Sequence, residues 1–415
     1  MKRLLPGLSA TSLMTCSAPA AVPEITPPPE EVQTQEQPTV DYTASADILY
    51  ELGQFQGDGV DSSGQPIYEL ENPCTRAEAS VMLVRLLGLE DEAEQAAGTP
   101  FTDLQDWQAP YVGLLYHRGM IQGTSYDKFE PEAPCTAQMY AALMLRALGY
   151  SDQKSDFTYD SALAFAQKIG LIDNFSCDLN DFRRDDAAQM SRMALELTPK
   201  GAQTDLLGQL VEQGVVDEDK AAAVRAESQQ IAALSTRAET APSYEAEVFA
   251  ALIDDPDGNS ISLHGTLVDE GKRARLDGML SVALADGRSA SQQVIVLRDS
   301  GGISLSPWKG TGYRDDQVAA LLRETSLLSL VMSAVPTRSL ISQLSQRGDT
   351  YTMTLSDGSA QLKFDAGGVP QERTLSLALH GAMYSVTAQT VRTEDVRPFD
   401  VPDGYSSYIK ISNTP

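Results

Sequence analysis

Cysteine, histidine and tryptophan are all scarce in this chain of 415 residues: four Cys, three His and two Trp. Cys16, Cys74, Cys135 and Cys177 show no C-x-x-C spacing, which argues against a zinc site, and they are too few for a disulfide framework. Buried or half-buried thiols are expected, with a Cys74–Cys135 bridge as the alternative. His117, His264 and His380 fall in no H-E-x-x-H arrangement, and neither a G-x-S-x-G elbow nor a G-x-x-x-x-G-K-[ST] loop is present. Metalloprotease, serine-hydrolase and P-loop chemistry therefore lack their parts. "SPWK" (306–309) matches S-x-x-K without its usual companions S-D-N and K-T-G, and "DDPDGN" (254–259) does not meet EF-hand spacing. No metal or cofactor is expected, and the chain reads as non-enzymatic.

Long apolar runs are missing too. No stretch approaches the roughly 20 residues needed to cross a bilayer, so no transmembrane segment is expected. Positive charge is in deficit, with 31 Lys and Arg against 58 Asp and Glu for a net charge of -27. That field repels polyanions and argues against nucleic acid as a partner. An anionic ligand would have to be held by a few well-placed cations.

What is present begins with Lys2 and Arg3, a weakly apolar run from Leu4 to Met14, and Ala18-Pro19-Ala20. This is the order of a secretory signal peptide, assigned to 1–20. "LMTC" ending at Cys16 offers lipid attachment as the alternative. Residues 21–40, rich in Pro, Glu and Gln with few large apolar side chains, read as an extended linker.

The phrase "NPCTRAEASVMLVRLLGLE" (72–90) then has a near echo in "APCTAQMYAALMLRALGY" (133–150). Thr75 followed by Glu78 is a capping box that should open a helix, and Ala79, Met82, Leu83, Leu86 and Leu87 form one apolar stripe that Gly88 ends. Tyr140, Leu143, Met144, Ala147, Leu148 and Gly149 repeat the stripe. A worn third copy puts Arg184 on Arg76, Asp186 on Glu78, Ala187 on Ala79 and Met190 on Met82. Each copy follows a helix ending in a turn, with Gly53, Gly119 and Gly170 in register. A two-helix unit of this size cannot bury its own stripe, so neighbouring copies should pack together.

Phe101, Asp103, Trp107, Ala109, Gly119, Gly123, Phe129 and Pro131 follow the plan F-x-D, W-A, G-x-x-x-G, F-x-P that precedes a T-R-A-E helix, and in this the unit 100–150 resembles an S-layer homology repeat. The resemblance covers three repeats, 41–97, 98–152 and 153–200. It implies an all-α three-repeat bundle that attaches an exported bacterial protein to the cell wall through a secondary polysaccharide, often a pyruvylated one. Carried over residue by residue, it implies ligand roles for Thr75, Arg76, Asp106, Trp107, Gly123 and Arg184, with Arg76 and Trp107 facing one groove. The planar guanidinium suits a carboxylate and the indole suits a sugar's apolar face. Gly123 would let the backbone approach the ligand, and Arg76→Ala should weaken binding while leaving the fold intact. The second repeat departs from the plan at Ala137, Gln138 and Met139, and the third has no tryptophan. One good groove, one weak groove and one structural groove are expected.

Residues 201–242 favour a helical connector. From 243 to 415 alternating segments separated by hairpin-type turns predict an α+β domain with a curved antiparallel sheet, interrupted by a helical stretch from about Asp315 to Gln346 with a break at Pro336. That order, and the closing "FDVPDGY", are similar to lipoprotein-carrier half-barrels. The likeness implies an apolar cavity lined by Leu327, Leu328 and Val331 and an amphiphilic ligand. Plain core is the alternative for those residues.

Overall fold

The computed structural model describes residues 43–173, 175–179, 181–253, 255–306, 325–379 and 381–412. The expected signal peptide, Cys16, the linker, most of "SPWK" and His380 lie outside the described residues.

The first half is built of helix pairs. Helices α1 (Thr43–Glu51) and α2 (Arg76–Leu86) form the first, with the short α3 (Glu90–Glu94) following. The second pair is α4 (Ala109–His117) and α5 (Ala137–Ala147), and the third is α6 (Ala162–Lys168) and α7 (Arg184–Leu195). The capping box forms as the sequence dictates: Thr75 Oγ1 accepts the Glu78 N–H at 3.2 Å, and Glu78 Oε2 accepts the Thr75 N–H at 2.8 Å. In the second pair Thr136 caps α5 alone, because Met139 has no carboxylate to return the bond. At the other end of α2, Gly88 takes φ +64°, and a Cβ there would meet the Val215 side chain at 2.3 Å. The helix-stopping glycine is thus also a packing requirement.

Each second helix packs on the first helix of the next pair, α2 on α4 and α5 on α6. Contact of α7 with α1 closes the ring. Short backbone links tie the helix starts together: Arg76 N–H to Ala133 O and Arg184 N–H to Asn72 O, both at 3.0 Å. The stripes meet in one core that includes Leu83, Leu145 and Met190, and fully buried Tyr140 bonds Ser191 Oγ at 2.7 Å across α5 and α7. Burying a side chain of this size contributes about 1.5–3 kcal/mol. Cys74 and Cys135 are buried free thiols and Cys177 is half-buried, so the thiol expectation describes them and the bridge does not form.

The connector breaks into α8 (Leu206–Glu212) and α9 (Glu218–Glu239), the second capped by Asp217. Among the described residues eleven antiparallel strands follow in one sheet. They are β1 (Tyr244–Ile253), β2 (Ser260–Asp269), β3 (Ala274–Ala283), β4 (Ser289–Asp299) and β5 (Gly302–Leu305), then β6 (Ile341–Arg347), β7 (Thr350–Leu355), β8 (Gly358–Phe364), β9 (Pro370–Leu379), β10 (Ala382–Arg392) and β11 (Ile409–Ser412). The spatial order is β11-β5-β4-β3-β2-β1-β10-β9-β8-β7-β6. Period-2 alternation decides the faces. Val248, Ala250, Leu263, Leu276, Leu280 and Val296 point into a second core with α10 (Thr325–Met332) and with Ile231 and Leu234 of α9. Phe249 and Met279 are exposed on the other face.

The helix expected to run to Gln346 ends at Met332. Beyond Pro336, Ile341 to Arg347 instead pairs with β7 through a turn in which Gly348 takes φ +63°. That segment is mostly Ser and Gln, without an apolar helical stripe, and the edge of β7 offers it a full ladder of backbone partners.

Two arginines, Arg373 buried and Arg298 half-buried, fix α10. Arg298 donates to Met332 O at 2.5 Å and to Asp269 Oδ1 at 3.2 Å, while Arg373 donates to Val331 O at 2.7 Å and to Ser333 O. They satisfy carbonyls at the helix C-terminus, where positive charge is favoured.

Candidate functional site

Two clefts open between helix pairs, and the repeat register makes them counterparts. The first, about 630 Å³, is lined by Phe55, Gln56, Asp58 and Tyr68 of the first pair's loop, by Glu78, Met82 and Arg85 of α2, by Trp107 and Tyr111 at α4, and by Arg184 of α7. The second, about 200 Å³, is lined by Ile121, Gln122, Gly123 and Phe129 of the second pair's loop, by Met139, Leu143 and Arg146 of α5, by Tyr159 ahead of α6, and by Arg76 of α2. Each therefore takes its loop and long helix from one pair, an aromatic residue from the next, and an arginine from the remaining one.

Arg76 and Trp107 accordingly do not share a groove, contrary to expectation. Trp107 precedes α4, which flanks α2, whereas Arg76 at the start of α2 reaches the other way, onto the 122–129 loop. Its Nε donates to Phe129 O at 2.9 Å and its Nη2 to Gln122 O at 3.3 Å, with the guanidinium 4.5 Å from the Phe129 ring centroid. Arg76 is a strut between two repeats as well as a wall of the second cleft. Gly123 is required by its own loop. A Cβ there would meet the Phe101 ring at 2.4 Å and Lys128 O at 2.5 Å, so packing fixes this residue whether or not a ligand approaches.

The remaining expected residues divide. Trp107 is 48% exposed in the first cleft, its Nε1 donating to Gln105 Oε1 at 3.0 Å. Arg184 lies there too, ion-paired to Asp58 at 2.6 Å, to Glu69 at 3.6 Å and to Glu78. Thr75 is a helix cap and Asp106 an exposed neighbour of Trp107, and neither lines a cleft.

The charge balance separates the two clefts. In the first, Asp58, Glu78, Glu90 and Glu94 outnumber Arg85 and Arg184. Among the described residues lining the second there is no carboxylate, only Arg76 and Arg146. Arg146 is anchored from outside by Asp152 at 2.5 Å and by Met120 O at 2.8 Å, and the arginine holds the Asp152 carboxyl below its ordinary range. The second cleft thus presents two held guanidinium groups, an apolar floor and the Tyr159 ring.

Sequence reasoning missed Arg85, Arg146 and Tyr159. The arginines occupy one register position in the two copied phrases, "LVRLLG" and "MLRALG", which was a readable signal. Tyr159 takes the place of Trp107 but sits in a shortened loop that shifts its register. In the sheet domain Leu327, Leu328 and Val331 are 2%, 3% and 0% exposed and pack as core.

A closed ring of helix pairs with an arginine and an aromatic ring in the clefts between them defines a repeat module with ligand-sized grooves. No family model matches the chain. It is similar to a cell surface protein of Thermoanaerobacter kivui, 32% identical over 161 residues, which are 38% of this chain and 20% of that protein. It is also similar to a middle cell wall protein of Brevibacillus brevis, 26% identical over 202 residues, 48% of this chain and 18% of that one. An endoglucanase of a Bacillus strain shares 32% identity over 80 residues, 19% of this chain and 8% of the enzyme. The chain therefore spans a fifth or less of the length of each of these relatives.

Proposed function

We propose that this is an extracellular bacterial surface protein held non-covalently on the cell wall, its three helix pairs acting as S-layer homology repeats that bind a secondary wall polysaccharide. Relatives named for the cell surface and the cell wall support the surface location. The observation that carries the binding reading is the second cleft, lined by Arg76, which is held by carbonyls, and by Arg146, which is paired from behind with Asp152, with no carboxylate among the described lining residues. In a chain of net charge -27 this is a local reversal of sign, suited to one carboxylate of a sugar polymer, such as a pyruvyl ketal. Tyr159 offers a face for the ring that bears it. The first cleft is wider and acidic, and its exposed Trp107 suits a neutral stretch of the same polymer. The role is retention rather than catalysis, and the sheet domain is what the anchor displays.

Carriage of an amphiphile by the sheet domain is the alternative, and it would require α10 to leave the core that it fills. Wall attachment is tested by co-sedimentation of the full chain with sacculi from a bacterium whose wall polymer is pyruvylated, before and after acid removal of the polymer. Binding that disappears with the polymer supports the proposal, and absence of binding to untreated sacculi overturns it.

A further inference from the structure

Two of the ring's three seams carry the clefts described above, and among the described residues the third seam, between α7 and α1, is occupied by the chain itself. Three residues beyond the turn glycine, Gln56 and Gln122 line the open clefts, and Asp173 stands at that position in the third pair. Its carboxylate accepts the Ser339 hydroxyl at 2.6 Å and the Ser339 N–H at 3.4 Å. Gln189 of α7 donates to Ser339 O at 2.8 Å and accepts the hydroxyl of Ser45 from α1, so one carboxamide joins the seam to its occupant. Beside it Arg338 donates to Glu196 Oε1 at 3.1 Å, and Phe175 from the third pair's loop is buried in the core of the sheet domain. Each open cleft takes one of its two arginines from the pair left over, which for this seam is the second, and there the residue is Ala137.

We infer that the third groove is a dock: the Thr337–Leu340 turn of the sheet domain fills it, bars external ligands from it, and fixes the sheet rigidly to the repeat ring. The seam has lost the guanidinium a carboxylate ligand would need and gained a carboxylate and a carboxamide matched to the backbone and hydroxyl of one serine. Because Ser45 belongs to the first pair and Gln189 to the third, the same contact locks the closure of the ring. The dock is independent of what the two open clefts bind.

Hydrogen exchange on the full chain, without polymer, tests this. Ser339→Glu places a second carboxylate against Asp173 and should speed exchange about tenfold at 171–176, at 338–341 and in α1, with α4 and α5 unchanged. Gln189→Ala, which adds no charge, should act in the same direction more weakly. Unchanged exchange at the seam in both variants overturns the dock. So does loss of protection throughout the chain in both, since breaking a dock loosens its own seam first.

Discussion

Replacing Arg76 separates its structural work from its ligand work. Its Nε bond to Phe129 O is well formed, the Nη2 bond to Gln122 O is long, and the guanidinium lies over the Phe129 ring. A charged hydrogen bond to a half-buried carbonyl contributes about 1.5 kcal/mol, and the long bond and the ring contact add roughly 0.5 kcal/mol each. Arg76→Ala should therefore destabilise the chain by about 2–3 kcal/mol while leaving the fold intact. Arg76→Lys keeps the charge and can reach one carbonyl, so about half of that loss should return. It cannot present two donors to a carboxylate, so wall binding should stay roughly tenfold weaker. Urea unfolding followed by circular dichroism gives the first quantity and co-sedimentation the second. An Arg76→Ala loss under about 0.5 kcal/mol would refute the strut. Binding by Arg76→Lys equal to the native chain's would refute the carboxylate clamp.

Other expectations follow from single groups. Trp107→Ala should weaken wall binding while costing under about 1 kcal/mol of stability, because nearly half of the side chain is exposed. Arg373→Met should cost about 3–5 kcal/mol in urea unfolding, since it strips donors from Val331 O and Ser333 O and leaves Asp269 with one arginine fewer. Burial pushes the Cys135 thiol up to about 12 and Cys74 up as well, so neither should react with a thiol reagent at pH 8 until the chain is unfolded, as mass spectrometry would show. Burial, reinforced by Asp185, pushes the Asp186 carboxyl up to about 8 from an ordinary 3.8. Between those values the folded chain holds a proton that the unfolded chain has released. This group therefore lowers stability as pH rises through that window, by at most about 1.4 kcal/mol per unit, and Asp186→Asn should flatten the slope.

Legibility followed the range of the interactions. The capping box, the glycine stops and the apolar stripes depend on residues within one or two helical turns, and α2 and α5 fall where those signals put them. The strands from β1 to β4 and from β7 to β10 were legible for the same reason, since alternation between hairpin turns is local. Strand β6 was not, because its Ser and Gln residues carry no preference strong enough to compete with an available sheet edge. The grooves were harder still. Which arginine meets which aromatic depends on the direction in which each helix start reaches around the ring, and only the cyclic packing fixes that.

The same reasoning explains how one repeated phrase can yield unlike surfaces. Arg76 and Arg184 occupy the same register position, yet Arg184 is ringed by Asp58, Glu69 and Glu78, while Arg76 faces Met139 where its counterpart faces Glu78. The substitution of methionine for glutamate in the second copy removes a cap from α5. It also removes the carboxylate that would have neutralised Arg76, and so leaves the second cleft positive. A departure from the repeat that reads in sequence as decay of a motif is, in the folded ring, what frees a guanidinium that the neighbouring repeat contributes to the same cleft. The third seam shows the converse, where Ala137 of the second copy withdraws an arginine from the groove that the sheet domain fills. Divergence at one repeat is therefore read out in clefts that several repeats share, and a repeat's capacity for ligand is judged by the residues its neighbours contribute as well as by its own motif.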